Sequence, residues 1–98
     1  MKIVEKNIDS LTPYENNPRH NEKAVEPVAE SIREFGFKVP IVIDGAGVVV
    51  TGHTRLKAAK SLGMKKVPCI IADDLTPEQV DAFRLADNKT AELAEWEA

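Results

Sequence analysis

Val48-Val49-Val50-Thr51-Gly52-His53-Thr54-Arg55-Leu56 is the stretch on which the reading of this chain turns. A β-branched run leads into it and a helical pattern reaching Leu62 leads out, which makes it a strand-to-helix turn. Glycine at such a turn lets the backbone come close to a ligand, and the N–H groups of an opening helical turn favour an anion. Arg55 adds a planar cation suited to phosphate, and a threonine hydroxyl can either cap the helix or meet a phosphate oxygen. Thr51, Gly52, His53, Thr54 and Arg55 are therefore candidate phosphate-binding residues. The same five residues also suit an ordinary α/β connection that holds no ligand.

Upstream, residues 39–43 and 48–50 are short β-branched runs around Asp44-Gly45-Ala46-Gly47, the pattern of a hairpin. Before them Val25, Val28, Ala29, Ile32 and Phe35 recur at helical spacing, with Gly36 where a C-terminal cap belongs. Pro27 is comfortable only in a first turn, which predicts a helix start near Val25. Residues 2–8 suit an opening strand, and residues 11–21, with Pro13, Asn16, Asn17 and Pro18, suit a loop. Downstream, Gly63 closes the helix and residues 67–72 form an apolar strand. Thr76-Pro77-Glu78-Gln79 then carries a full helix-start signal, followed by Val80, Phe83 and Leu85. Asp87-Asn88 interrupts that helix. A last amphipathic stretch with Leu93 and Trp96 runs to the final residue, as expected of a piece of a longer protein or of a helix that docks on a partner. The expected fold is a small α/β (α+β) domain, a mixed sheet with packed helices over residues 1–98, its last helix (about 89–98) leading to a following domain.

With 98 residues, 43% hydrophobic and 30% charged, the chain suits one domain with a modest core. Its formal charge of −3 argues against a free-standing clamp on duplex DNA, although Arg55, Lys57, Lys60, Lys65 and Lys66 gather basic charge locally. The one cysteine, Cys69, lies in an apolar run and reads as a buried core thiol. No apolar stretch approaches membrane-spanning length and no secretion signal is evident, so the expected location is the cytoplasm, without membrane partners.

The order of Asn17-Pro18-Arg19, a helix ending in Gly36, the Pro40-Ile41-Val42 strand, the Gly52-to-Arg55 turn, the Ala58-Ala59 helix and the Val67-Pro68 strand resembles the ParB/sulfiredoxin superfamily. More narrowly it is similar to the ParB-like nuclease domains of phages and prophages that are often joined to DNA methyltransferases. The resemblance covers roughly residues 17–96. Asn17-Pro18-Arg19 looks like the first ParB box, and Glu30-Ser31-Ile32 with Phe35-Gly36 like the helix and loop that approach base and sugar. Gly52-His53-Thr54-Arg55 takes the place of the phosphate turn, and Ala86-Asp87-Asn88-Lys89 that of a later metal and phosphate motif. By resemblance, Gly52 and Arg55 would contact phosphate, Arg19 would be a second cationic contact, and Asp87 with Asn88 would hold the metal side, Asn88 also reaching phosphate. The implied cofactor is Mg with a nucleoside triphosphate, CTP or ATP. Magnesium suits that role because it prefers one or two carboxylates shared with substrate phosphates.

Departures narrow the activity. His53 stands where sulfiredoxins carry their catalytic cysteine, so thiol-based reductase chemistry has no nucleophile there. His53 and Thr54 replace an acid and a cation of the ParB turn, which puts nucleotide hydrolysis in question. His53 is a candidate acid/base and Glu30 a candidate catalytic carboxylate; the competing readings are a turn residue that donates a hydrogen bond and a charge on an outer helix face. His20 reads as a loop residue, and Asp73-Asp74 as loop acids ahead of a capped helix. The expected function is a nucleotide-dependent module, binding a nucleoside triphosphate with magnesium, of a DNA-associated phage or bacterial protein; the alternatives are a metal-dependent nuclease or phosphotransferase, and an adaptor for a DNA methyltransferase that binds no nucleotide. The expected partners are a nucleotide, DNA through other parts of the parent protein, and a second copy of the chain as a homodimer.

Overall fold

A mixed four-stranded sheet forms from β1 (Ile3–Asn7), β2 (Ile41–Ile43), β3 (Val49–Thr51) and β4 (Lys66–Ile71), in the spatial order β1-β4-β2-β3. The computed structural model describes residues 2–14 and 22–86. β4 runs antiparallel to β1, with Ile3 opposite Ile70, and parallel to β2, with Ile41 opposite Cys69. β2 and β3 form the expected hairpin, with an irregular register between Val42 and Ile43. The helices are α1 (Glu22–Phe35), α2 (His53–Ser61) and α3, residues 77–86. α1 packs on α2, and a Lys57–Glu22 ion pair ties the start of α1 to the flank of α2.

Local chemistry explains most of the boundaries. In the hairpin, Asp44 Oδ1 accepts from the N–H groups of Ala46 (2.9 Å) and Val48 (3.0 Å), and Asp44 N–H donates to Val48 O at 2.9 Å. At the end of α2, Gly63 N–H donates to Lys60 O and Met64 N–H to Ala59 O, both at 3.1 Å, the two bonds of a Schellman ending. Thr76 and Gln79 cap α3 reciprocally, Thr76 N–H to Oε1 at 2.9 Å and Gln79 N–H to Oγ1 at 3.2 Å. Ile8, Leu11, Ile41, Ile43, Val49, Leu56, Ala59, Val67 and Cys69 pack into one buried cluster, so α2 lies on the sheet through Leu56 and Ala59.

Several expectations need correction. α1 begins at Glu22, ahead of the expected start, and holds Pro27 in its interior. Lys23 and Pro27 both lie on the exposed face, where the carbonyl left without a partner by proline can be hydrated, while Val28, Ala29 and Ile32 face inward. Phe35, counted on the apolar stripe, is 62% exposed, and Val39 lies outside β2 and is 57% exposed. On α3 the inward face is Val80 and Arg84, four residues apart; Phe83 and Leu85 point to solvent. β3 extends through Thr51, which is buried. The expected interruption at Asp87-Asn88 and the stretch with Leu93 and Trp96 lie outside the described residues.

Gly52 joins β3 to α2 as the helix N-cap at φ 104, ψ 24. A Cβ there would come within 3.0 Å of a guanidinium nitrogen of Arg55 and 3.2 Å of Ile41 Cγ1. Gly52→Ala is expected to lower stability by about 1–3 kcal/mol, the usual cost of a left-handed non-glycine residue, as read by urea unfolding. Cys69 is fully buried, its Sγ 3.6 Å from Val67 O. Burial pushes its thiol above the ordinary value, with Lys6 pulling weakly the other way. A raised folded-state value means that the stability held by the neutral thiol is complete below the ordinary thiol range and is lost as pH rises from there through the folded value. Native protein should therefore react slowly with a thiol-specific disulfide reagent, unfolded protein should react at once, and stability should decline above about pH 8.5.

Candidate phosphate-binding turn

β3 delivers Thr51 to the sheet end and Gly52 turns the chain, so α2 starts at His53 with its N-terminal end at the sheet edge. Its first intrahelical bond is Leu56 N–H to Gly52 O at 2.9 Å, and the N–H groups ahead of Leu56 point away from the helix. Gly52, as the N-cap, has no side chain with which to cap the helix, and the first turn holds no acidic residue. Of the two roles open to a threonine hydroxyl here, neither Thr51 nor Thr54 takes the N-cap position: Thr51 is buried in β3, and Thr54, half-buried, sits within the helix. The positive end of the helix dipole meets no carboxylate from its own first turn, which suits an incoming anion.

Two side chains frame this end. The Arg55 guanidinium donates to Pro40 O at 3.1 Å and lies against Gly52, bridging α2 to the start of β2. His53 Nε2 accepts a hydrogen bond from Tyr14 N–H at 3.1 Å. An accepting Nε2 carries its lone pair, so the neutral ring has its proton on Nδ1. Thr51, Gly52, His53, Thr54 and Arg55 therefore come together at one sheet-to-helix junction. Glu30 lies on the exposed face of α1 and pairs with Arg33. Arg19, His20, Asp87 and Asn88 fall outside the described residues, and among the described residues no three His, Cys, Asp or Glu side chains are grouped as a metal would require.

Two residues that sequence reading missed belong to this region. Tyr14 comes from a Pro/Asn-rich loop that gave no signal. Arg84 was masked by the choice of Phe83 and Leu85 as the apolar face, although its spacing of four from Val80 could have marked it. Both line a cleft of about 780 Å³ between residues 12–14, the Asp44–Gly45–Ala46 hairpin tip and α3. Tyr14 also contacts His53, so this cleft adjoins the turn.

No helix among the described residues is long and apolar enough to cross a membrane. The family model for the ParB N-terminal domain matches residues 1–89. The chain is 41% identical over 80 residues to the ParB-like nuclease domain-containing protein YnaK of Escherichia coli K12, covering 81% of this chain and 92% of that one. Among solved structures, the C-terminally truncated chromosome-partitioning protein ParB of Caulobacter crescentus complexed with CTP-gamma-S matches with a TM-score of 0.76 at 29% identity over 90% of this chain. The match takes in 53% of that truncated chain, so this chain spans about half of it. Sulfiredoxin from Arabidopsis thaliana matches with a TM-score of 0.69 at 25% identity, over 85% of this chain and 97% of that one. A mixed sheet with this strand order, a glycine turn into α2 and a match across nearly the whole length place the chain in the ParB N-terminal domain family of the ParB/sulfiredoxin superfamily.

Proposed function

We propose that this domain binds a nucleoside triphosphate with its phosphates at the Gly52–Arg55 turn, and serves as a nucleotide-dependent module of a DNA-associated protein. The observation that carries this reading is the placement of the N-terminus of α2 at the sheet end, directly behind a left-handed glycine and with no acid in its first turn. Arg55 supplies the fixed cation and His53 and Thr54 the flank. The Caulobacter relative of the same fold was crystallised with a CTP analogue, which supports CTP as the first nucleotide to test and ATP as the second. The turn residues fit phosphate; when bound, magnesium would neutralise phosphate charge, and Asp87 and Asn88 would hold it, with Arg19 as a further cationic contact. Contact with DNA would come through other parts of a parent protein, because this domain is net acidic at −3.

Arg55→Ala should weaken binding of CTP or ATP by about 1.5–3 kcal/mol, the size of a charge-assisted hydrogen bond, in calorimetric titrations of folded protein. Unchanged affinity would remove Arg55 from the site. Asp87→Asn keeps the shape of the side chain and loses the charge a hard cation requires. It should lower affinity in the presence of magnesium and leave metal-free affinity nearly intact. Equal magnesium dependence in both proteins would leave Asp87 a purely structural role, since Asn caps a helix as well as Asp.

A further inference from the structure

Arg84 is the buried charged side chain among the described residues, only 7% exposed. An arginine on a surface helix would ordinarily hold its guanidinium in water, and burying a cation is costly unless it is well paired. Its ion pair does not supply that pairing, because the partner, Asp81 at 3.1 Å, is 68% exposed and screened by solvent. Nε is buried with no acceptor among the described residues. A methionine or leucine would fill the same space without these costs.

What arginine offers instead is a rigid plane that can stack and donate at once. One terminal nitrogen donates to Val49 O at 3.2 Å, and the guanidinium carbon lies 3.7 Å from the centroid of the Tyr14 ring. Val49 is where residues 12–14 meet the sheet: Val49 N–H donates to Thr12 O at 2.8 Å and Thr12 N–H to Gly47 O at 2.9 Å. Tyr14 thus has its ring under Arg84 and its amide on His53 Nε2. Two contacts in series, Arg84 on Tyr14 and Tyr14 on His53, connect α3 to the first residue of α2.

We propose that Arg84 is a positioning residue for the turn: by stacking on Tyr14 and holding Val49 O it fixes residues 12–14, and through Tyr14 N–H it holds His53 in its Nδ1-protonated form at the N-terminus of α2. A neutral imidazole also suits that place, because a second positive charge at the positive end of a helix is disfavoured. The consequence for ligand affinity rests on the proposed nucleotide site; the placement of His53 does not.

The test uses Arg84→Met, which keeps bulk and removes the fork, and Arg84→Lys, which keeps charge and removes the plane. Tyr14→Phe is the control, since it preserves both ring and amide. Nitrogen NMR of ¹⁵N-histidine-labelled protein without nucleotide, with His20 assigned by substitution, reads the His53 tautomer; calorimetry with CTP or ATP and magnesium reads affinity. Wild type and Tyr14→Phe should show the Nδ1-protonated ring. Both Arg84 variants, folded by circular dichroism, should show averaged tautomers and about tenfold weaker nucleotide binding, within the usual range of coupling between neighbouring sites. If Arg84→Met does not fold, Arg84→Lys decides. A wild-type tautomer in a folded Arg84 variant would overturn the proposal, and an altered tautomer with unchanged affinity would overturn its link to the ligand. No nucleotide affinity in wild type would instead defeat the proposed function, and the tautomer would still decide the role of Arg84.

Discussion

The left-handed backbone of Gly52 sets the geometry on which the candidate site depends, because β3 ends at Thr51 and α2 begins at His53 with a single residue between them. With no slack in the connection, the direction of α2 follows from the sheet. Leu56, Ala58 and Ala59 hold the helix in place by burial, and Ile41 and Arg55 close on Gly52 so tightly that a Cβ would crowd both side chains. The placement of the helix N-terminus is therefore a product of core packing. Close packing of this kind resists displacement of the helix relative to the sheet.

Electrostatics at this junction run against the charge of the whole chain. The domain carries a formal −3, yet the helix N-terminus and Arg55 bring positive charge to this junction and the first turn of α2 adds no acid. Screening over about 8 Å at physiological salt makes the local groups decisive for a ligand in contact with the turn. Distant carboxylates matter more for long-range encounter with a polyanion such as DNA. An acidic domain with a phosphate-ready turn is thus physically consistent.

Elements whose chemistry is local were legible in the sequence. Gly36 and Gly63 stop helices through left-handed backbone, Thr76 and Gln79 cap one reciprocally, and Asp44 closes the hairpin; each signal lies within a few residues of its effect. The turn at Gly52 was legible for the same reason. Pro27 misled because its cost falls on an exposed carbonyl that water can serve, and the inward stripe outweighs it. Arg84 and Tyr14 stayed hidden because their roles come from contacts across 35 and 39 residues of sequence, which no local pattern records. A charged residue on the buried face of a helix also defies the rule by which that face is chosen.

The central claim is that phosphate binds at the N-terminus of α2, and an amide-resolved NMR titration of the chain with CTP and magnesium tests it most directly. The account predicts the largest shifts at the backbone amides of Gly52, His53, Thr54 and Arg55, saturating together with increasing nucleotide. Shifts confined to other surfaces, or none at these four amides at saturating nucleotide, would contradict it.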